Sequence, residues 1–137
     1  MLGTGGCALE IADKREIDYS ILARIGLEPL TFDKGEHILS QGDVGDEMFL
    51  LREGCAAIVV NNSQIEVIGA GGIFGEMGLV DGAPRSASVV ALEPCQVVPV
   101  SERTFLYLVH ETPYFALDVM RTLAGRVRRM NDKVLTL

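Results

Sequence analysis

Short apolar runs separated by turn residues fill residues 28–100 of the chain. Runs of this length, at spacings of about 8–12 residues, are typical of an antiparallel sandwich or barrel-like roll. Asn61 and Asn62 lie between two of the runs and form a two-residue hairpin signal. Pro99 cannot donate a backbone N–H, so the last strand is expected at a sheet edge. The pattern predicts a mainly β fold, an antiparallel β-roll or jelly roll of about eight strands.

An amphipathic helix is predicted before these strands. Ile17, Leu22 and Ile25 belong to an apolar set at helical spacing, and Gly26 is placed to end the helix. Residues 1–12 are interpreted as a flexible lead-in. The predicted organisation is a flexible segment at 1–12, a β-roll with helices at 13–112 and a C-terminal helix at 113–137.

Helical patterns return after the last predicted strand. Ser101 is predicted to cap one helix, and Thr112-Pro113 to open a long last helix. Six apolar residues of the last helix alternate at spacings of three and four, which indicates a coiled-coil seam. A homodimer is therefore favoured over a helix folded back onto its own roll, which would normally show a wider apolar face. The seam residues are Met120, Leu123, Val127, Met130, Val134 and Leu137.

Composition and charge narrow the class of protein. The 137 residues are 48% hydrophobic and 23% charged, which fits one globular domain. The net charge of −7 opposes nonspecific binding to DNA or anionic lipid, so an anion would need a local positive spot. No apolar run can span a membrane, and Cys7, Cys55 and Cys95 form no CxxC pair. Free thiols in the cytoplasm are therefore expected.

Residues 71–89 contain the parts needed to hold a small phosphate diester. Gly75 lets backbone N–H groups approach an anion, and residues 76–79 can form a helical turn with free N–H groups. Arg85 can pair with phosphate oxygens, and Ser86 adds a hydroxyl donor. Glu76 would repel phosphate but can accept a hydrogen bond from a sugar hydroxyl, with Arg85 near enough to compensate its charge. Any one of these residues is more simply a turn or a surface charge, but the ordered set favours the phosphate interpretation.

Two ordered segments carry a resemblance to a known family. Phe74-Gly75-Glu76-Met77-Gly78-Leu79, followed by Pro84-Arg85-Ser86-Ala87-Ser88-Val89, resembles the phosphate-binding cassette of cyclic-nucleotide-binding domains. Residues 41–54 resemble the glycine-punctuated hairpin of that family. Residues 112–137 resemble the long dimerising helix of its catabolite-activator branch.

The resemblance implies a cyclic nucleotide as regulatory ligand, with no further cofactor and no metal. Glu76 would bind the ribose 2′-hydroxyl, and Arg85 the cyclic phosphate. Guanine-selective members often carry threonine at the position of Ser86, so cAMP is favoured over cGMP. Met77 is a further implied ligand residue. The others are Gly75, Ser86 and Ala87 in the phosphate cradle, Ile58, Ile65 and Ile68 beside the purine, and Met130 and Asn131 as a cap on the base, from the same or the partner subunit.

A regulatory binding module is therefore predicted, not an enzyme. The chain has no P-loop or dinucleotide fingerprint, and no nucleophile has a base nearby in the sequence. The basic residues of the last helix are interpreted as the solvated flank of the seam, so neither nucleic acid nor membrane is an expected partner. Two alternatives stay open: the same fold as a non-binding dimerisation scaffold, or the effector half of a transcription regulator whose DNA-binding domain is absent.

Overall fold

The computed structural model describes residue 22 and residues 24–135, with side chains described as far as Lys133. Most of the predicted N-terminal helix and the whole of segment 1–12 lie outside the described residues, as does Leu137. Leu22 and Arg24 are helical, and Leu22 is buried. None of the helices within the described ranges is long and apolar enough to cross a bilayer.

Two four-stranded antiparallel sheets form the body of the described chain, in the orders β1-β8-β3-β6 and β2-β7-β4-β5. This confirms the predicted roll. The structure also contains a strand of two residues, β6, which the sequence pattern did not predict as a strand because it lies inside the phosphate segment. The strands are β1 (Leu30–Phe32), β2 (His37–Leu39), β3 (Met48–Glu53), β4 (Cys55–Val60), β5 (Ser63–Gly69), β6 (Ile73–Phe74), β7 (Ser88–Ala91) and β8 (Cys95–Val100).

Strand β3 shows how the sheets and helices share the core. Met48 and Leu50 face a cluster that contains helical residues, whereas Phe49 and Leu51 face the second sheet. Successive side chains point to opposite faces of a sheet, so the part of a strand that is covered on both faces is apolar, as at residues 48–51. The sheet that contains β3 therefore lies between the helices and the other sheet.

The hairpin and edge predictions have different outcomes. Asn61 and Asn62 adopt φ values of 49° and 67° between β4 and β5, the left-handed conformation that a two-residue hairpin turn requires. The prediction that Pro99 marks an edge strand is wrong, because β8 lies between β1 and β3. Strand β1 pairs only with 95–97 of β8, so Pro99 lies past the end of that neighbour.

Three helices follow or interrupt the strands: α1 (Glu76–Asp81), α2 (Glu102–Glu111) and α3 (Tyr114–Leu135). The Ser101 hydroxyl accepts a hydrogen bond from the backbone N–H of Thr104, which confirms the predicted cap. Phe115 and Val119 of α3 are buried in the cluster that also contains Leu108 of α2. The first turns of α3 therefore pack onto their own domain.

The predicted seam residues of α3 differ in whether they pack on their own domain or are exposed to solvent. Leu123 packs against the chain's own core, whereas Met120 and Val127 are each 55% exposed. Met130 is exposed and also lines a cavity. The side chain of Val134 lies outside the described part of the chain.

The cysteines depart from the prediction of three free thiols. Cys55 is disulfide-bonded, so the prediction is wrong for this residue. Cys95 is free and buried, and its Sγ donates to the carbonyls of Cys55 and Glu93. Burial raises the pKa of the Cys95 thiol, and these hydrogen bonds only partly oppose that effect.

Candidate ligand-binding site

A cavity of about 310 Å³ lies between the β2–β7–β4–β5 sheet, α1 and α3. Strands and Met130 supply most of its apolar lining, and the segments around α1 and Arg85 supply polar groups. The lining residues are Leu39, Ile58, Val60, Ile65, Glu66, Phe74, Gly75, Glu76, Met77, Gly78, Pro84, Arg85, Ser86, Ala87, Val89, Arg126 and Met130.

The guanidinium of Arg85 is held by backbone carbonyls. Its Nη1 donates to the carbonyl of Gly75 and its Nη2 to the carbonyl of Glu47, each at 2.9 Å. The guanidinium carbon also lies 5.8 Å from the ring centroid of Phe49. Arg85 is only 8% exposed. A guanidinium has more N–H donors than these two bonds use, so Arg85 keeps donors for an anion in the cavity.

Glycines make the space that Arg85 occupies. A Cβ at Gly78 would lie 2.5 Å from Nη1 of Arg85 and 2.5 Å from the carbonyl oxygen of Gly45. A Cβ at Gly45 would lie 2.5 Å from Nη2 of Arg85. Gly75 adopts a φ of 76° immediately before α1, a conformation that favours glycine. The glycines of both ordered segments therefore surround one side chain.

The loop before β3 holds the backbone of Arg85. The N–H of Arg85 donates to the carbonyl of Asp43 at 2.7 Å, and the N–H of Gly42 donates to the carbonyl of Arg85 at 2.8 Å. Gln41 extends the link to the β4–β5 turn through two hydrogen bonds with Asn61. Arg85 is thus fixed through both its backbone and its side chain.

Glu76 is compensated by Arg126 of α3, not by Arg85 as the sequence suggested. Nη1 of Arg126 lies 3.4 Å from Oε1 of Glu76, and its Nε lies 3.1 Å from Oε2 of Glu66. The bonds described for the Arg85 side chain go to carbonyls instead. Arg126 reaches the cavity because α3 crosses beside it.

The predicted cradle residues and Met77 lie together at the cavity. Gly75, Met77, Ser86 and Ala87 all contribute to its lining. Ser86 Oγ lies 3.8 Å from Sδ of Met77, which joins α1 to the segment after Arg85. No side chain caps α1 among the described residues, so its first N–H groups are left for other acceptors.

The structure separates the residues predicted to contact the base. Ile58, Ile65 and Met130 line the cavity, but Ile68 and Asn131 do not. Ile68 is buried in the cluster between the sheets, because it lies further along β5 beside Ala56. Asn131 is exposed, because one residue along a helix turns its side chain by about 100° from that of Met130.

Several lining residues were not predicted. Leu39, Val60 and Val89 were recognisable only as strand residues. Glu66 and Arg126 were not identified because their pairing spans 60 positions in the chain. The prediction that the basic residues of α3 form a solvated flank is wrong for Arg126 and Arg129, which are largely covered and pair with Glu66 of β5. Lys133 is exposed, and it also donates to the carbonyl of Ile65.

The arrangement suits an anionic ligand with an apolar part. Buried guanidinium donors and a glycine turn can bind an anion, a carboxylate can accept from a hydroxyl, and the strand residues can cover a flat apolar group. The charged side chains of the lining are two arginines and two glutamates, so they balance. Fold and site together define a β-roll domain with a cavity that is bordered by a glycine turn and a buried arginine.

The chain belongs to the cyclic nucleotide-binding domain family, which matches it at residues 29–112. In this family a cyclic nucleotide acts as a regulatory ligand. The crystal structure of the Thermus thermophilus catabolite activator protein superimposes with a TM-score of 0.70 and 28% identity, covering 83% of this chain and 56% of that chain.

Two curated relatives are proteins whose names include a cyclic nucleotide. The cAMP-dependent protein kinase regulatory subunit of Yarrowia lipolytica is 37% identical over 73 residues, or 53% of this chain and 20% of the relative. The cGMP-dependent protein kinase of Plasmodium berghei is 42% identical over 62 residues, or 45% of this chain and 7% of the relative. The chain therefore matches only a small part of each relative.

Proposed function

We propose that this chain is a regulatory sensor domain that binds a cyclic nucleotide in the cavity beside Arg85, with cAMP bound more tightly than cGMP. The observation that carries the proposal is a buried guanidinium fixed next to the Gly75 turn at the cavity wall. An arginine buried in an acidic protein without a carboxylate on its described hydrogen bonds has unused capacity for an anion.

The lining residues suggest how the ligand lies. The cyclic phosphate would accept hydrogen bonds from Arg85, Ser86 and the N–H groups near Gly75 and Ala87. The ribose 2′-hydroxyl would donate to Glu76, with Met77 beside it. Ile58, Ile65 and Met130 would cover the purine. Because Ile68 and Asn131 do not line the cavity, we leave them out of the proposed contacts.

The preference for cAMP rests on Ser86. Ser86 lines the cavity. Guanine-selective members of the family often carry threonine at this position. The relatives include the regulatory subunit of a cAMP-dependent kinase and a cGMP-dependent kinase, so membership of the family does not decide between adenine and guanine.

We further propose that ligand binding moves α3. Residues 13–112 would bind the ligand, and residues 113–137 would respond, since Arg126 and Met130 of α3 line the same cavity. A ligand shifts such an equilibrium only by the difference between its affinities for the two states. Contacts from the ligand to both the roll and α3 can supply that difference.

The exposed seam residues support a proposed homodimer. Met120 and Val127 lie on α3 at heptad spacing, and both are 55% exposed. Leu123 packs on its own core, so a charge there would also destabilise the domain. Val127→Glu is the cleaner test: sedimentation equilibrium should show a dimer for the wild type and a monomer for the variant. Equal masses for the two proteins would contradict the dimer seam.

A non-catalytic role in the cytoplasm completes the proposal. The relative from Yarrowia lipolytica is named a regulatory subunit, and the site as described offers binding groups rather than a nucleophile with its base. The free Cys95 agrees with a reducing compartment, whereas the disulfide at Cys55 does not.

Isothermal titration calorimetry of nucleotide-free protein with cAMP and cGMP tests the function. We expect a dissociation constant of about 1 μM for cAMP, equivalent to about −8 kcal/mol, and weaker binding of cGMP. Stronger binding of cGMP would contradict only the base preference. No heat from either nucleotide at millimolar concentration would contradict the function and favour the dimerisation scaffold.

A further inference from the structure

A cluster of ion pairs joins α3 to β5, and Glu66 is at its centre. Oε1 of Glu66 lies 2.6 Å from Nε of Arg129, and Oε2 lies 3.1 Å from Nε of Arg126. The side chains of Glu66 and Arg126 are each 13% exposed, and that of Arg129 is 32% exposed. Pairs this far from solvent are screened less than surface pairs.

The cluster follows one face of α3. Arg126, Arg129 and Lys133 are spaced by three and four residues, so they share a side of the helix. Nζ of Lys133 donates to the carbonyl of Ile65, which extends the contact with β5 by a turn. β5 is the edge strand of its sheet. The last described turns of α3 are therefore fastened to an edge strand through charged groups.

Glycine at position 125 gives Arg129 space to reach back along the helix. A Cβ there would lie 3.3 Å from Nη1 of Arg129. Glycine inside a helix costs about 1 kcal/mol relative to alanine, so the residue at position 125 is not the one that would stabilise the helix most. A Cβ would meet only the flexible end of Arg129, so Gly125 lets the guanidinium lie close to the helix but is not required to place it.

Glu66 also sets the orientation of Arg126 inside the cavity. The Nε of Arg126 is directed to Glu66, which leaves Nη2 to donate to the carbonyl of Ile73 at 2.6 Å and Nη1 to face Glu76 at 3.4 Å. Arg126, Glu66 and Glu76 line the cavity, whereas Arg129 does not. Arg129 can thus act on the cavity only through Glu66 or through its charge.

We propose that Glu66 is a positioning residue that clamps α3 beside the cavity and holds Arg126 against Glu76. Arg129 is the second anchor of this clamp, and it strengthens ligand binding without lining the cavity. The effect on affinity rests on the proposed function, whereas the clamp itself exists in the protein without nucleotide.

Charge alone predicts a different pattern. If Glu66 and Arg129 acted only through their fields, Glu66→Gln would remove a negative charge and strengthen anion binding. Arg129→Gln would remove a positive charge and weaken it. A clamp predicts that both substitutions weaken binding, because each breaks the same ion pair.

The test uses Glu66→Gln, Arg129→Gln, the double variant and a control, Arg128→Gln. Arg128 is the neighbouring arginine on α3, is exposed, and has no ion pair to the other residues that the structure describes. Its substitution removes the same charge as Arg129→Gln. Calorimetry with cAMP measures affinity, and hydrogen exchange of the backbone amides of residues 126–133 without nucleotide measures how firmly α3 is held.

The clamp predicts about fivefold or greater weakening of cAMP binding in both single variants. The double variant should bind cAMP as tightly as the single variant with the lower affinity, because the interaction between Glu66 and Arg129 can be broken only once. Amide exchange of residues 126–133 should be faster in both single variants than in the wild type and in Arg128→Gln.

Two results would overturn the inference. One is opposite changes in affinity for Glu66→Gln and Arg129→Gln, which would leave only an effect of charge. The other is unchanged amide exchange in both variants, which would show that the ion pairs do not hold α3. If the wild type bound no nucleotide, the proposed function would fail, and amide exchange would still decide whether the clamp exists.

Discussion

The cavity is bordered by two arginines that are held in different ways. Arg85 donates to two backbone carbonyls, and glycines at 45, 75 and 78 make room for its guanidinium. Arg126 makes ion pairs with Glu66 and Glu76, which come from β5 and α1. The polar contacts described for the Arg85 guanidinium are therefore all with main-chain carbonyls, whereas Arg126 combines one main-chain bond, to the carbonyl of Ile73, with two carboxylates from separate elements.

The way in which each guanidinium is held suggests a different role for each arginine. A group fixed by backbone atoms keeps its position before the ligand arrives, so little conformational entropy is lost on binding. A group held by ion pairs on a helix can exchange partners when the helix or the ligand moves. We infer that Arg85 supplies affinity, and that Arg126 couples the cavity to α3.

The largest expected effect is that of Arg85→Ala. It removes the guanidinium proposed to face the phosphate, so cAMP affinity should fall by about 30- to 1,000-fold in calorimetry. Arg52→Ala removes an exposed arginine of β3 and should leave affinity unchanged. A circular dichroism spectrum like that of the wild type would show that Arg85→Ala still folds. Unchanged affinity in a folded variant would show that Arg85 does not bind the phosphate.

A smaller effect is expected when the space around Arg85 is filled. Alanine at Gly78 would bring a Cβ within 2.5 Å of both the Arg85 guanidinium and the Gly45 carbonyl. Displacement of Arg85 should weaken cAMP binding by about tenfold, equivalent to about 1.4 kcal/mol.

Gly82→Ala is the matched control for Gly78→Ala. No atom lies within 4 Å of a Cβ at Gly82, but its φ of 67° disfavours alanine by about 1 kcal/mol. This control should lower the melting temperature and keep the affinity for cAMP. Equal affinity in the two variants would contradict the role of Gly78 in placing Arg85.

The smallest effect in this comparison is expected for Arg126→Gln. Glu76 would lose its counter-charge and α3 one link to the roll, so cAMP binding should weaken by about fivefold. Arg121→Gln is the control, because Arg121 is an exposed arginine of the same helix that pairs with Asp118 and does not line the cavity. A loss for Arg126→Gln as large as that for Arg85→Ala would remove the proposed distinction between the two arginines.

Local patterns allowed much of the roll to be predicted. The hairpin at Asn61 and Asn62 and the cap at Ser101 depend on neighbouring residues, so both could be identified from the sequence. Strand β6 has only two residues, which is too short for a recognisable period. Pro99 led to a wrong prediction of an edge strand. β8 is an interior strand, but its neighbour β1 ends before it reaches Pro99.

The candidate site was only partly predictable for a related reason. Arg85 lies ten residues after Gly75, and their proximity could be inferred from a continuous segment. The contacts of Glu66 with α3 span 60 residues and more, and depend on where the helix crosses the sheet. A heptad pattern describes the spacing of apolar residues on α3 but does not fix which residues face the roll.

An NMR titration with cAMP tests the central claim most directly. In ¹⁵N-correlated spectra of the labelled protein, we expect the largest shifts at the backbone amides of residues 75–78 and 85–87 and at the side-chain Nε–H of Arg85. These signals should saturate together, because one ligand would contact all of them. Saturating cAMP that leaves these signals unmoved, or shifts only residues remote from the cavity, would contradict the account.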